Sequence, residues 1–395
     1  MKNNKGFNLV SVIIIICVTS IISGITTGVI VTNSYKNSTG LNYNELVNDE
    51  NLSEFLEVYS SVVNNYYEDV DTSEMVDTAL DAMLNYLGDN YTTYLDSEET
   101  KRLEDSLSGT YRGIGIAFSQ NIETMNFQIV SVTPSSPAER AGLMKDDIIV
   151  SIDGTPVAGK TNIEIQNMIR NNTNNSVNIV VNRAGSEMSF DINLVSLLDS
   201  NINYKMLDNN IGYLQMEIFS KTLDTQVNNA LNDLENQGMQ KLIIDLRNNT
   251  GGYLESASST ASIFLEKGKL IYSLTSKNKK ADYYDETDSH KTYPIVILLN
   301  EMSASSSEIL AAALKDSYGA VLVGTTSYGK GVVQQTYDLS DGSMAKYTSA
   351  KWLRPNGDCI DGIGLKPDYE VAYDSSITST DNQLDKAIEV ISTLK

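Results

Sequence analysis

The chain has 395 residues, 41% of them apolar, and carries 51 Asp and Glu against 29 Lys and Arg, a formal net charge of −22. That length accommodates two or three domains with ordinary cores, and such acidity argues against nucleic acid as a partner, because phosphate recognition needs clustered Lys and Arg. Cys17 and Cys359, the two cysteines, cannot build a disulfide framework or a four-ligand zinc site.

Residues 6–35 carry no charge, and residues 10–31 are rich in Ile and Val behind Lys2 and Lys5. A helix of that length spans a hydrocarbon core of roughly 30 Å, so residues 1–32 are expected to form a signal anchor. The two lysines stay inside and everything after Lys36 is exported. A cleaved signal peptide is the competing reading, with Ser23, Gly24 and Gly28 near a cut, although the apolar run exceeds an h-region of roughly 7–15 residues. Residues 33–44 read as a polar linker. Across residues 45–106 the pattern is helical. Leu52, Phe55, Leu56, Tyr59, Val62 and Val63 recur at spacings of three and four, and a second helix carries Met75, Ala79, Ala82 and Met83. This segment holds no catalytic constellation; packing, a hinge or a homodimer contact are its expected roles.

The period changes across residues 107–194. Short apolar runs (GIGIAF, FQIVSV, DIIVSID, VNIVV, MSFDINLV) alternate with PSSP, DGTP and RAGS turns around one helix, NIEIQNMIR, which describes a small β-rich module. Residues 195–395 alternate strands (IGYLQM, KLIIDLR, PIVILL, AVLVG) with helices, the pattern of an α/β core with covered sheet faces. The fold class expected is therefore α/β multidomain.

Residues 300–334 carry the chemistry. Ser305-Ser306-Ser307-Glu308 precedes ILAAAL and reads as a capping box. The same geometry exposes a serine hydroxyl at a helix start, where unpaired N–H groups face an oxyanion, so capping and catalysis coexist. A nucleophilic Ser305 needs a base. The single histidine, His290, lies in the polar run ADYYDETDSHKTY, which leaves Lys330. Neutral lysine requires moving its pKa from about 10.4 toward 7, roughly 4–5 kcal/mol of differential solvation. Gln334 shares a face with Lys330 if residues 330–336 form a strand and would orient it without adding charge. A rival reading takes Gly324 to Lys330 as a phosphate loop, but Gly331 replaces the Ser or Thr that holds Mg²⁺, and VVQQTY reads as a strand where that loop needs a helix.

The run YRGIGIAF…IVSVTPSSPAERAGLMKDDIIVSIDG resembles a PDZ domain of the bacterial protease type. The backbone of Gly113, Ile114, Gly115 and Ile116 would present N–H groups to a terminal carboxylate, and a peptide would add as an extra strand. Arg170 and Arg183 are candidates for stabilising or signalling its presence. NEMSASSSEIL…GTTSYGKGVVQ closely resembles the SASASEI…GKGxVQ pattern of the C-terminal processing peptidases (peptidase family S41), exported serine proteases with an inserted PDZ domain. The resemblance implies a ClpP/crotonase-like α/β core, endopeptidase cleavage near substrate C-termini, and neither metal nor nucleotide as cofactor. By that match Ser305 is the nucleophile, Lys330 the general base, Gln334 its orienter, and Asp316 a structural or auxiliary acid. Ser306 stands where the pattern has Ala. The run DLRNNTGG resembles the family's DLRxNxGG loop, with Thr250 replacing a proline; Gly251 or Gly252 would complete an oxyanion hole with the Ser306 amide. Proteins and peptides with free C-termini are the expected partners. A PDZ scaffold with an inactive core is the alternative.

Overall fold

The computed structural model describes residues 49–121, 124–277, 279–376 and 380–394. The expected membrane span, residues 10–31, lies outside them. No helix among the described residues is long and apolar enough to cross a membrane.

Two compact units divide the chain, Met1–Ala79 and Leu80–Lys395. In the first, helix Glu50–Asn65 starts where Asp49 Oδ1 accepts the N–H groups of Asn51 and Leu52. None of its residues is buried, and Leu52, Phe55, Leu56, Val58 and Val62 are exposed. The three-and-four spacing thus produced the expected helix, with an apolar stripe turned to solvent.

In the second unit, the β-rich module is an antiparallel sheet ordered Ile116–Gln120, Phe127–Val132, Ile148–Ile152, Ser176–Arg183, Ser186–Asn193, with Thr155–Pro156 beside Ile148–Ile152. Alternation builds its core: Val177, Ile179 and Val181 point inward along one strand and meet Ile165 and Ile169 from helix Asn162–Arg170. Strand Ile116–Gln120 is an edge of this sheet. A two-stranded ribbon, Thr110–Gly113 against Val195–Leu198, carries the chain into and out of the module.

The α/β core is a six-stranded sheet. Strands Ile211–Met216, Lys241–Asp245, Ile295–Leu299, Val321–Gly324 and Tyr369–Glu370 run parallel in that order, with Ile202–Leu207 antiparallel at one edge. Both faces are covered. Leu242, Ile244, Ile295, Ile297 and Leu299 join one core, which includes helices Leu223–Asn236, Leu254–Ser262 and Ser306–Ala313. Ile243, Val296 and Leu298 join another beneath helix Asn382–Thr393. A second, antiparallel sheet pairs Met344–Leu353 with Thr93–Leu95, Leu270–Thr275 and Val332–Asp338.

Helix Ser306–Ala313 gives way at Leu314–Tyr318 to a π turn closed by Gly319. In that turn Asp316 takes a bidentate Arg354, at 3.0 and 2.6 Å. That contact gives Asp316 its expected structural role.

Candidate active site

Strands Lys241–Asp245, Ile295–Leu299 and Val321–Gly324 are parallel neighbours, so the three motif loops leave the sheet at the same carboxyl edge, where open α/β sheets place ligands. The loops are stitched together. Ala304 donates its N–H to Asn249 O at 3.1 Å, Ser307 Oγ donates to the same oxygen at 2.8 Å, and Tyr328 N–H reaches Ser303 O at 3.0 Å.

Ser305 occupies φ 57°, ψ −116° ahead of its helix, a backbone region that non-glycine residues avoid and that surrounding packing must hold. Gly251 packs against it. A Cβ at Gly251 would lie 2.9 Å from both Ala304 O and Ser305 Cβ, so this loop needs glycine for space. The Gly251 N–H is itself engaged by Asn249 Oδ1 at 2.9 Å, while buried Asn249 donates Nδ2–H to Met216 O at 2.9 Å. The second hydroxyl, beside Ser305, is tied down: Ser306 Oγ donates to Gly252 O at 3.0 Å and Tyr253 O at 3.2 Å.

Glu308 joins the two halves of the site. It is wholly buried, and its Oε2 accepts the N–H groups of Ser305 at 2.8 Å and Lys330 at 3.0 Å. Its Oε1 accepts the Ser327 hydroxyl at 2.5 Å and the Gly329 N–H at 2.7 Å. Burial pushes the carboxyl above its usual range, against the pull of these four donors.

Lys330 is half-buried. Burial drives its pKa down and the Lys346 ammonium drives it further, while Glu308 and Asp89 act the other way. Trp352 Nε1–H fixes the Lys330 carbonyl at 2.8 Å. The Lys330 Nζ lies 4.8 Å from the centre of the Tyr91 ring.

The expected parity between Lys330 and Gln334 does not hold. The strand starts at Val332, and its pairing slips between Val333 and Gln334, a bulge that resets which face each side chain takes. Gln334 Nε2 instead donates to Thr348 Oγ1 at 3.2 Å. The element after Lys330 is this strand and not a helix, which removes the phosphate-loop alternative.

In the β-rich module, Gly113, Ile114, Gly115, Ile116 and Arg170 line a cleft of about 230 Å³ between the edge strand and helix Asn162–Arg170. The Ile114 side chain is buried in the module core, so what that residue offers the cleft is backbone. Arg170 stacks on the Tyr111 ring at 4.9 Å. Arg183 is committed elsewhere: it grips buried Asp147 at 2.6 and 2.7 Å and donates to Gly142 O. His290 is exposed, in a different cleft that none of the three motif loops lines.

Sequence reasoning missed Asn249, Tyr91, Asp89 and Thr348, and it saw only the capping half of Glu308. Asn249 lies in the DLRNNTGG motif and could have been singled out there. Tyr91 carries no local signal, because only the pairing of Thr93–Leu95 with Met344–Leu353 brings it to Lys330.

Three family models match the chain. Peptidase family S41 matches residues 210–371, the PDZ domain residues 128–183, and the activating protease CtpB N-terminal domain residues 26–100. The chain is 35% identical over 323 residues to the carboxy-terminal processing protease CtpA of Bacillus subtilis (strain 168), covering 81% of this chain and 68% of that protein. The chain belongs to peptidase family S41. It is a serine-type peptidase with a PDZ domain. A probable CtpA-like serine protease of Staphylococcus aureus (strain N315) is likewise 35% identical over 326 residues, with 81% of this chain and 65% of that protein aligned; the chain thus spans about two thirds of the length of these S41 relatives. The solved structure of a lipoprotein from Streptococcus agalactiae shares the fold at TM-score 0.50 and 15% identity, over 88% of this chain and 90% of that one.

Proposed function

We propose that this S41 peptidase is an exported endopeptidase that cleaves proteins near their C-termini with Ser305 as nucleophile and Lys330 as general base. The observation that carries this reading is that one buried carboxylate, Glu308, holds the backbone amides of both residues. Neutral Lys330 takes the Ser305 hydroxyl proton as Oγ attacks the scissile carbonyl, then returns it to the leaving amine; water repeats the sequence on the acyl-enzyme. Burial and Lys346 both favour the neutral amine that this step requires. Gln334, whose Nε2–H is held by Thr348 in this structure, would orient Lys330 through its Oε1 once the lysine turns toward Ser305. The oxyanion is received by the Ser306 and Gly252 N–H groups, while Gly251, whose N–H is engaged by Asn249, supplies space for the loop.

The PDZ cleft takes the substrate's C-terminal residues by strand addition to the edge strand Ile116–Gln120. Arg170 bridges from that cleft to Tyr111 in the connecting ribbon, a route by which a bound tail would gate activity. Residues 10–31 anchor the protein with its catalytic part outside the cell membrane, and the apolar stripe of helix Glu50–Asn65 makes a homodimer contact.

The decisive test is cleavage of an unfolded protein by the wild type, Ser305→Ala and Lys330→Ala. Both variants are expected to lose at least 1,000-fold in kcat/KM, on the order of triad deletions; undiminished cleavage by either removes its residue from the chemistry, whereas no cleavage by the wild type favours a PDZ scaffold with an inactive core.

A further inference from the structure

Lys330 Nζ makes no hydrogen bond or ion pair among the described residues, although carboxylates lie nearby. Those carboxylates are occupied. Glu308 accepts from four donors, and Asp89 accepts from Thr92 Oγ1 at 2.6 Å and the Tyr91 N–H at 3.2 Å, and from the Thr348 hydroxyl. What the amine does meet is an aromatic face, Tyr91, 4.8 Å from its centroid, within the reach of a cation–π contact.

That ring is held from both sides. Its N–H is bound by Asp89, and the next residue, Thr92, accepts the Thr348 N–H at 3.1 Å. Its phenol faces the Tyr328 hydroxyl, two residues before Lys330. Burial and this neighbour push the phenol up to about 12, so the ring stays uncharged at working pH.

We propose that the face of Tyr91 is the resting seat of the Lys330 side chain, which makes Tyr91 a positioning residue that holds the base off Ser305 until substrate arrives. A ring face attracts an ammonium and gives nothing to a neutral amine, so the seat holds the protonated base and lets it go as the proton leaves. An ion pair at the same place would keep the base charged. The groups that set the charge of Lys330 come from four directions: Glu308 from the helix after Ser305, Lys346 from strand Met344–Leu353, Asp89 from the segment before Thr93, and Tyr91 itself. Tyr91 in turn faces Tyr328 and Asp361.

The inference rests on Lys330 being the base, and the test separates the two. In the full-length chain, Tyr91→Phe keeps a ring face, and pentafluorophenylalanine at position 91 keeps the shape while removing the electron-rich face. The readout is the pH dependence of Ser305 inactivation by a fluorophosphonate, alongside that of kcat/KM. The fluorinated protein is expected to show its acid limb displaced to lower pH than Tyr91→Phe by roughly half a unit or more, and so to react about threefold faster on that limb. Coincident limbs, or displacement to higher pH, overturn the seat while leaving Lys330 as base. Undiminished activity of Lys330→Ala overturns the base itself.

Discussion

Glu308 has two oxygens and four donors, and the count matters. Oε1 faces the Ser327 hydroxyl and the Gly329 N–H, and Oε2 faces the N–H groups of Ser305 and Lys330. A glutamine keeps the size but turns an NH₂ toward one of those pairs. Glu308→Gln is therefore expected to lower stability by about 2–4 kcal/mol, the cost of two buried donors left unmet, and to reduce kcat/KM far more than KM. Urea unfolding and steady-state kinetics check this, and wild-type values in both would contradict it. The raised carboxyl pKa has its own sign. A group titrating higher in the folded than in the unfolded state favours folding below its unfolded pKa, and that contribution is lost as pH rises through the folded one. Ser306 makes a smaller case: its hydroxyl braces the Gly252 and Tyr253 carbonyls, and Ser306→Ala is expected to lower kcat by roughly threefold to tenfold with KM unchanged, about one hydrogen bond's worth. Ser305 and Lys330 stood out in the sequence because a serine cluster opening a helix and a glycine-flanked lysine are each local patterns. The capping half of Glu308 was legible for the same reason, at i and i+3. Its other half depends on which strands are neighbours, and the position of Gln334 depends on a bulge; neither leaves a mark in one segment.

At the scale of elements, the site is a property of strand order. Alternation and short apolar runs made the strands readable, and Gly and Asp marked their ends. The π turn escaped because the apolar pattern runs on through Leu314 and Tyr318. The carboxyl end of Lys241–Asp245 is held by a buried cluster. Asp245, fully inaccessible, takes Arg247 at 2.6 Å and the Tyr213 hydroxyl at 2.7 Å, and Arg247 also reaches Asp381, which caps helix Asn382–Thr393. Replacing Arg247 with Met leaves a buried carboxylate without its cation, a change of about 3–5 kcal/mol. Arg247→Met is expected to raise amide exchange in helix Asn382–Thr393 and to loosen the loop that carries Asn249. Protection equal to the wild type would show that the helix docks without the pair.

At the scale of the whole molecule, the order of segments was readable because the hydrophobic period changes twice, from helical to alternating and then to mixed. The lining of the PDZ cleft was not readable in one segment, since it combines Tyr111 before the module with Ile169 near its middle and Asp199 after it. Capping a substrate's C-terminus as the amide is expected to slow its cleavage at least tenfold if the cleft receives a carboxylate, and equal rates for acid and amide would remove that role. In the first unit, the proposed homodimer contact predicts self-association by sedimentation that Phe55→Glu lowers, because the variant places a charge in the exposed stripe of helix Glu50–Asn65; a wild type that sediments as a monomer removes the contact.

The shared carboxylate also sets a clock. With the amides of Ser305 and Lys330 both bound to Glu308, their backbones cannot part without breaking a buried junction, so the motion left to the pair is rotation of the lysine side chain. Rotamer changes of that kind run in picoseconds to nanoseconds, whereas loops and hinges take nanoseconds to milliseconds. Under the proposed mechanism, assembly of the Ser305–Lys330 pair is then not the slow step, and the pace of cleavage would belong to events elsewhere: the arrival of a chain end, its stay in the cleft, and the release of products.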